Sequence, residues 1–403
     1  MKILVHNAGS SSQKSCLYDL PDKTPLENPL TPLWQGTVDW QGTETATLKV
    51  KAQGNSHQNT LNAPSRRQGI AALLDTLTQG ETAVLSQLKE IEGIGHRVVH
   101  GGADYNQATR ITPEVQQKIQ ELSVLAPVHN PVNLAGIEAM NELLPEVPQV
   151  AMFDTAFHSE MPEAAAVYPI PYEWYERGIR RYGFHGISHE YCAQQAAKLL
   201  GKPLPSLRLI TCHLGNGCSL AAIRDGKSVQ TTMGFTPLEG LMMGTRSGSI
   251  DPAIALHLMR DYQFDVEQVD TLLNKQSGIK GIIGESGDVR DLLNQIAAEN
   301  PRAQLAGEMY IHRLQSAISS LLPALGGLDG LIFAGGVGEN APPVRARTCQ
   351  GLGFLGVKLD EQVNEQSPTN QDIATPDSTV RVLVISTQED WAIACATYQV
   401  LKG

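Results

Sequence analysis

Long apolar runs are missing from these 403 residues. None approaches the ~20 consecutive apolar residues that a membrane-spanning helix needs, so no membrane partner is expected. The opening Met1-Lys2-Ile3-Leu4-Val5-His6-Asn7 holds no apolar segment of leader length, and a cytoplasmic protein is expected. Basic runs are missing as well: Arg66-Arg67 and Arg180-Arg181 are the densest, and the formal net charge is −11. A nucleic-acid surface needs a basic stripe, which argues against that class of partner. Only six cysteines occur, with no C-x-x-C pair and no zinc spacing to a histidine cluster. They read as reduced, mostly buried thiols. The G-x-x-x-x-G-K-[ST] signature is absent, so the chain is not a P-loop protein.

Hydrophobic residues make up 41% of the chain and glycine contributes 37 residues, many in short polar clusters. That suits an enzyme with close backbone approaches. Strands are expected at Ile3-Leu4-Val5, Lys14 to Leu20, Trp34 to Trp40, Thr45 to Val50, Ile91 to Val99 and Val147 to Phe153. Helices are expected from Arg66 to Leu77 and from Pro113 to Leu125, the latter with Thr112 as its cap. A second region repeats the plan: a strand over 207–212, a turn at Leu214-Gly215-Asn216-Gly217, a return over 218–223 and a hairpin turn at Asp225-Gly226. Helices follow at 252–260, 289–298 and 302–322, the last with Leu305, Met309, Leu314, Ile318 and Leu321 on one face. Strands over 328–333 and 380–385 end in Gly335-Gly336-Val337-Gly338-Glu339-Asn340 and in Ser386-Thr387-Gln388-Glu389-Asp390. Strands alternating with helices predict an α/β fold. The two similar openings predict a duplicated two-domain architecture with a cleft between the copies, ligands sitting at strand ends.

Several turns compete for phosphate. Asn7-Ala8-Gly9-Ser10-Ser11-Ser12, with Lys14 behind it, and His213-Leu214-Gly215-Asn216-Gly217 both offer close backbone approach and N–H groups for anions. Gly335 to Asn340 opens a helix after a strand, a setting that favours a nucleotide. Taken singly, each is compatible with an ordinary tight turn. Arg97 in GHRVVHGG and Arg246 in MGTRSG are arginines bounded by glycines, and the guanidinium fork suits carboxylate or phosphate. Asp154 ends a strand and Glu389 starts the last helix; each suits Mg²⁺. For Glu389 the rival role is charge complementarity at the helix start. His185, in YGFHG, is placed to donate to a transferring phosphoryl group or to serve a structural role.

Together ILVHNAGSSSQK (3–14), GHRVVHGG (95–102), FDTAFH (153–158), RYGFHGISH (181–189), HLGNG (213–217), GFTPLEGLMMGTRSGSI (234–250), GGVGENA (335–341) and TQED (387–390) resemble the acetate kinase family in order and spacing from end to end. The resemblance implies a ribonuclease-H-like duplication of the sugar kinase, Hsp70 and actin type. Residues 1–155, completed by 390–403, would form an N-terminal domain, and 156–389 a nucleotide-binding C-terminal domain. It implies Mg²⁺, with Mn²⁺ as a substitute, held by Asn7 and Glu389. ATP or ADP would be surrounded by Lys14, by His213, Leu214, Gly215, Asn216 and Gly217, by Asp288, Val289 and Arg290, and by Gly336, Val337, Gly338, Glu339 and Asn340. Arg97 would hold the carboxylate substrate, and Val99, Val128, Phe184 and Pro237 would enclose its methyl group. Asp154, His185 and Arg246 would be the catalytic residues, in a homodimer. Ser249 stands where the family usually has Asp, Ile187 where Thr is usual, Val128 where Leu is usual, and Asp390 where Glu is usual.

The activity so implied is reversible transfer between ATP and acetate, giving acetyl phosphate and ADP. A carboxylate titrating near ~4 is already a nucleophile at neutral pH, so the work is charge neutralisation and alignment. Direct in-line transfer is therefore expected, with a phosphoenzyme on Asp154 or Glu389 as the mechanistic alternative. A propionate or other short-chain acyl kinase is the nearest functional alternative; a sugar kinase or a nucleotide-regulated binding module stands further off.

Overall fold

The computed structural model describes residues 1–9, 12–22, 28–40 and 45–403. Ser10 and Ser11 of the first polar turn lie outside the described residues. Contacts divide the chain into two compact units, Met1–Ala156 with Gln388–Gly403, and Phe157–Thr387.

The first unit is built on eight strands, β1 Lys2–Ala8, β2 Ser12–Asp19, β3 Trp34–Trp40, β4 Thr45–Ala52, β5 Asn55–Asn62, β6 Gly93–Val98, β7 Thr109–Arg110 and β8 Gln149–Phe153. Their order in the sheet is β5-β4-β3-β2-β1-β6-β8-β7. β1 to β5 form an antiparallel meander, while β1, β6 and β8 run parallel. The apolar run Ile3-Leu4-Val5 is wholly buried, as a central strand covered on both faces must be. β5 is different: its sequence NSHQNTLN is almost entirely exposed. It carries no apolar alternation to read, and a polar edge strand resists further pairing.

The second unit holds β9 Leu209–Leu214, β10 Cys218–Arg224, β11 Lys227–Thr231, β12 Gly330–Ala334, β13 Gln371–Asp372 and β14 Arg381–Val384. The order is β11-β10-β9-β12-β14-β13. β11, β10 and β9 are antiparallel, and β9, β12 and β14 parallel. The segment β3-β2-β1-β6-β8 in the first sheet thus corresponds strand for strand to β11-β10-β9-β12-β14 in the second. The duplication expected from the two openings is present in topology.

Two features position functional residues. In the first unit the C-terminal helix Glu389–Lys402 packs on β1, β6 and β8. It sits so close that a Cβ on Gly95 would meet Thr397 Oγ1 at 2.3 Å and Ile393 Cγ2 at 2.7 Å; only glycine admits the helix there. In the second unit the helix Pro301–Leu325 buries Ala303, Ala306, Tyr310, Leu314, Ile318, Leu321 and Leu325. This corrects the expected face: Leu305 is 52% exposed. Small Ala303 and Ala306 continue the 3.6-residue stripe and let the helix approach closely, a contact that a count of large apolar residues misses.

Candidate active site

Residues from five parts of the first unit meet at the ends of its parallel strands. β1 and β6 are in register through Val5 with Gly95 and His6 with His96. Side chains alternate along a strand, so His6 and His96 share one face and Asn7 and Arg97 the other. Lys14 lies directly opposite Asn7 across the β1–β2 hairpin, on that same face. Asp154 follows β8 and donates its backbone N–H to Val98 O at 3.0 Å. The C-terminal helix brings Glu389 and Asp390 in its first turn.

Arg97 and Asp154 form a fork-to-fork pair. Nε donates to Oδ1 at 3.0 Å and Nη2 to Oδ2 at 2.5 Å. The Asp154 side chain is 2% exposed and that of Arg97 23%. Burial works against the charge on Arg97, but Asp154, with Glu389 and Asp390, more than offsets it and holds the guanidinium protonated. Both Asp154 oxygens are occupied, and among the described residues no hydrogen bond is seen for Nη1 of Arg97. Glu389 has the opposite balance. Desolvation raises its carboxyl above the ordinary range; Arg97 and Lys14 pull it back, while Asp154 and Asp390 push it further up. Negative charge is therefore in excess here, which fits a dication. Among the described residues no group of three or more His, Cys, Asp or Glu forms a cage. Mg²⁺ does not require one, since it keeps waters and takes one or two carboxylates plus phosphate oxygens.

Of the residues expected around the acyl group, Val99 is buried and its N–H donates to Asn133 Oδ1 at 3.1 Å. Val128 is 56% exposed in the connection before the helix Asn130–Leu143. Phe184 is buried in the second unit, its carbonyl bonded to His158 Nε2 at 3.0 Å.

The second unit gathers its own set. His185 adopts φ +57° immediately before the helix Gly186–Leu200, a strained conformation for a residue with a Cβ. Its ring stacks on His213 at 4.2 Å, and Nδ1 is 2.9 Å from Ser219 Oγ. Gly217, in the turn between β9 and β10, supplies the space beside it. A Cβ there would lie 3.3 Å from His185 Nε2 and 3.6 Å from Arg246 Nη1. The two nitrogens therefore flank one small gap that any side chain at 217 would fill. Arg246 has no carboxylate partner among the described residues: Nη1 reaches only Pro237 O at 3.4 Å and Met243 Sδ at 4.0 Å. Burial lowers its pKa. A desolvated guanidinium so weakly paired is short of an anion. Among the described residues Ser249 makes no hydrogen bond to the Arg246 side chain. The Ser249 hydroxyl accepts from Gly240 N at 3.0 Å, and its N–H donates to Gly240 O at 2.9 Å, clamping the loop that carries Arg246 through the backbone.

The remaining residues divide by what they expose. Leu214 and Val289 are buried side chains, leaving only their backbone for a ligand. Asp288 caps the helix Val289–Ala297 and pairs with Arg290, whose guanidinium is almost fully exposed; that pairing, first of all, lowers the Asp288 pKa. Gly335–Asn340 forms a six-residue helix in which a Cβ on Gly336 would meet nothing within 4 Å. Asn340 Nδ2 donates to Gly336 O, and Glu339 Oε1 accepts from Thr387 N at 3.1 Å. Behind this helix stands a residue that reading the sequence passed over. Arg345 is completely buried, and donates to the carbonyls of Gly338 and Glu339 at 2.8 and 2.9 Å and to Asn364. Ser219, His189 and Thr211 were likewise not singled out. The i, i+4 spacing of His185 and His189 was the available signal.

A model of the Acetokinase family matches residues 2–395. The chain is 61% identical over 395 residues to an acetate kinase of Rippkaea orientalis, covering 98% of each. Among solved structures it is similar to the Porphyromonas gingivalis acetate kinase, with TM-score 0.92 and 39% identity over 99% of each chain. It is also similar to a propionate kinase from Francisella tularensis subsp. tularensis, with TM-score 0.91, 39% identity and the same coverage.

Proposed function

The chain belongs to the acetokinase family, and on that premise we propose how its residues move a phosphoryl group between ATP and acetate, in either direction, with acetyl phosphate and ADP as the other pair. The observation that carries the division of labour is the contrast between the two arginines. Arg97 is fixed by Asp154 through two nitrogens; Arg246 has no carboxylate partner among the described residues. Arg97 therefore suits a stable ground-state carboxylate, the acetate ion. Arg246, with His185 Nε2 across the gap at Gly217, suits charge that develops on the transferring phosphoryl oxygens.

Asp154 acts through Arg97 rather than on phosphorus. Its two oxygens are bonded and its side chain is buried, which disfavours it as a covalent carrier and supports direct in-line transfer. Acetate needs no base, because it is ionised at neutral pH. Mg²⁺ would be held by Asn7 and Glu389, and would supply neutralisation of β- and γ-phosphate charge. The nucleotide is assigned to Lys14, to the 213–217 turn, to Asp288 with Arg290, and to Gly336–Asn340. The acyl group is assigned to Val99, Val128, Phe184 and Pro237. The assembly is a homodimer in the cytoplasm. In support, the helix Pro252–Asp261 has no buried residue and exposes Ile254, Leu256 and Met259, and all six cysteines are free thiols.

The test is a hydroxamate assay with ATP, Mg²⁺ and a panel of acids. One added methylene in an apolar pocket changes discrimination roughly 10–200-fold. Acetate is expected to exceed propionate in kcat/KM within that range, toward its lower end because Val128 is smaller than the usual Leu, and butyrate to be worse. A preference for propionate would move the protein to its sister activity. Equal use of all three would remove the pocket.

A further inference from the structure

Four histidines converge in the second unit. His185 stacks on His213, and His189 lies 5.5 Å from His158 and 6.3 Å from His213 by ring centroid. His189 contributes to no step above, yet it is buried at the middle of a hydrogen-bonded chain. Thr211 Oγ1 is 2.7 Å from His189 Nδ1, His189 Nε2 is 2.7 Å from Ser219 Oγ, and Ser219 Oγ is 2.9 Å from His185 Nδ1. Thr211, His189 and Ser219 are all buried.

A chain of neutral groups like this has two possible directions. In the first, the Thr211 hydroxyl donates to His189 Nδ1, His189 Nε2–H donates to Ser219, and the Ser219 hydroxyl donates to His185 Nδ1. Every hydrogen between Thr211 and His185 Nδ1 then has an acceptor. In the second, His185 Nδ1–H donates to Ser219, Ser219 to His189 Nε2, and His189 Nδ1–H to Thr211. The Thr211 hydrogen is then left without an acceptor among the described residues, a buried unpaired donor that native structures avoid. A charged His189 would donate from both nitrogens, but burial first, then His158 and His213, hold its pKa well below the ordinary value. The first direction wins.

We propose that Thr211, His189 and Ser219 are positioning residues that hold His185 as the neutral tautomer with its hydrogen on Nε2, the nitrogen beside the Gly217 gap. This rests on the role given to His185 above and adds how that role is secured. An imidazole with its hydrogen on Nδ1 would turn a lone pair toward phosphoryl oxygens and repel them. With the hydrogen on Nε2, the same ring donates to them without having to gain a proton from solvent. The far nitrogen sets which of these the ring is.

The experiment uses full-length ¹⁵N-histidine-labelled enzyme. Two-bond ¹H–¹⁵N correlation at pH 7 reads the His185 tautomer, the signal being identified by its loss in His185→Gln. The expected wild-type result is Nε2–H with unprotonated Nδ1. Ser219→Ala, a small change that keeps the strand, is expected to admit the Nδ1–H form. It should lower kcat about five- to tenfold, the worth of one hydrogen bond, with KM for ATP changed by less than about twofold. A wild-type imidazolium or Nδ1–H form overturns the proposal, as does a Ser219→Ala enzyme with unchanged tautomer and kcat. A normal kcat in His185→Ala is a different failure. It removes His185 from the chemistry while the tautomer is still read independently.

Discussion

Arg246 and Arg97 differ in what holds them, and this gives a prediction at the scale of one residue. On the role proposed for it, Arg246→Ala should lower kcat about 10²–10³-fold while the KM for ATP changes little. Steady-state kinetics with ATP varied at saturating acetate decides it. Near-normal kcat with poor ATP affinity would move Arg246 to the nucleotide. Glycine-bounded arginines such as these are legible in sequence, because a cation is costly to hold among tight turns unless something anionic meets it. Ser219 and Thr211 were not legible. They face His189 only through the β9–β10 register, where Ser219 pairs with His213 and Ala221 with Thr211. A small hydroxyl residue in a strand carries no mark of such a partner. Arg345 was hidden for a similar reason: it satisfies its charge with carbonyls and an amide, so no acidic neighbour in the sequence announces it.

Among elements, the C-terminal helix is tightly constrained, since its seat against β6 leaves no room for a methyl group at Gly95. Gly95→Ala should destabilise the protein by about 1–3 kcal/mol through overpacking. It should also raise the Mg²⁺ requirement, because the helix carries Glu389 in its first turn. Urea unfolding and a Mg²⁺ titration of activity on the same variant check both effects; unchanged values in both would refute this seating. Elements with punctuation were legible. Thr112 before Pro113 and Asp225-Gly226 between β10 and β11 stand where the structure has a helix start and a hairpin. β5 was not, since nothing in NSHQNTLN distinguishes an edge strand from a loop. The face of the Pro301–Leu325 helix was displaced because small Ala303 and Ala306 carry its first turns.

At the scale of the whole molecule, stability should depend on pH through histidines buried in both units. Burial lowers His96 and His100 to about 4, and His189 well below its ordinary value. Between about pH 6.5 and 4 the unfolded chain binds protons at these sites that the folded chain does not. Stability therefore rises with pH through this window and is lost as pH falls. Each site contributes up to ~1.4 kcal/mol per pH unit. The urea midpoint should fall steeply from pH 6.5 to 5, and a midpoint flat over that range would contradict the burial of these rings. The duplicated sheet plan was legible at this scale because both copies open with a strand, a polar turn and a return strand. The fold matches that of the Porphyromonas gingivalis acetate kinase over 99% of each chain.

The two copies nevertheless differ in how the chain fills them. Residues 157–387 are contiguous, whereas the sheet of the first unit is roofed by residues 388–403. On a ribosome the strands β1 to β8 emerge long before the helix that covers Gly93 and Gly95. The second copy can close as soon as its own residues are out, but the first must wait, with one sheet face bare, until residues 388–403 have followed. Synthesis runs from the first residue to the last, yet the older half of the polypeptide is the younger half of the folded protein.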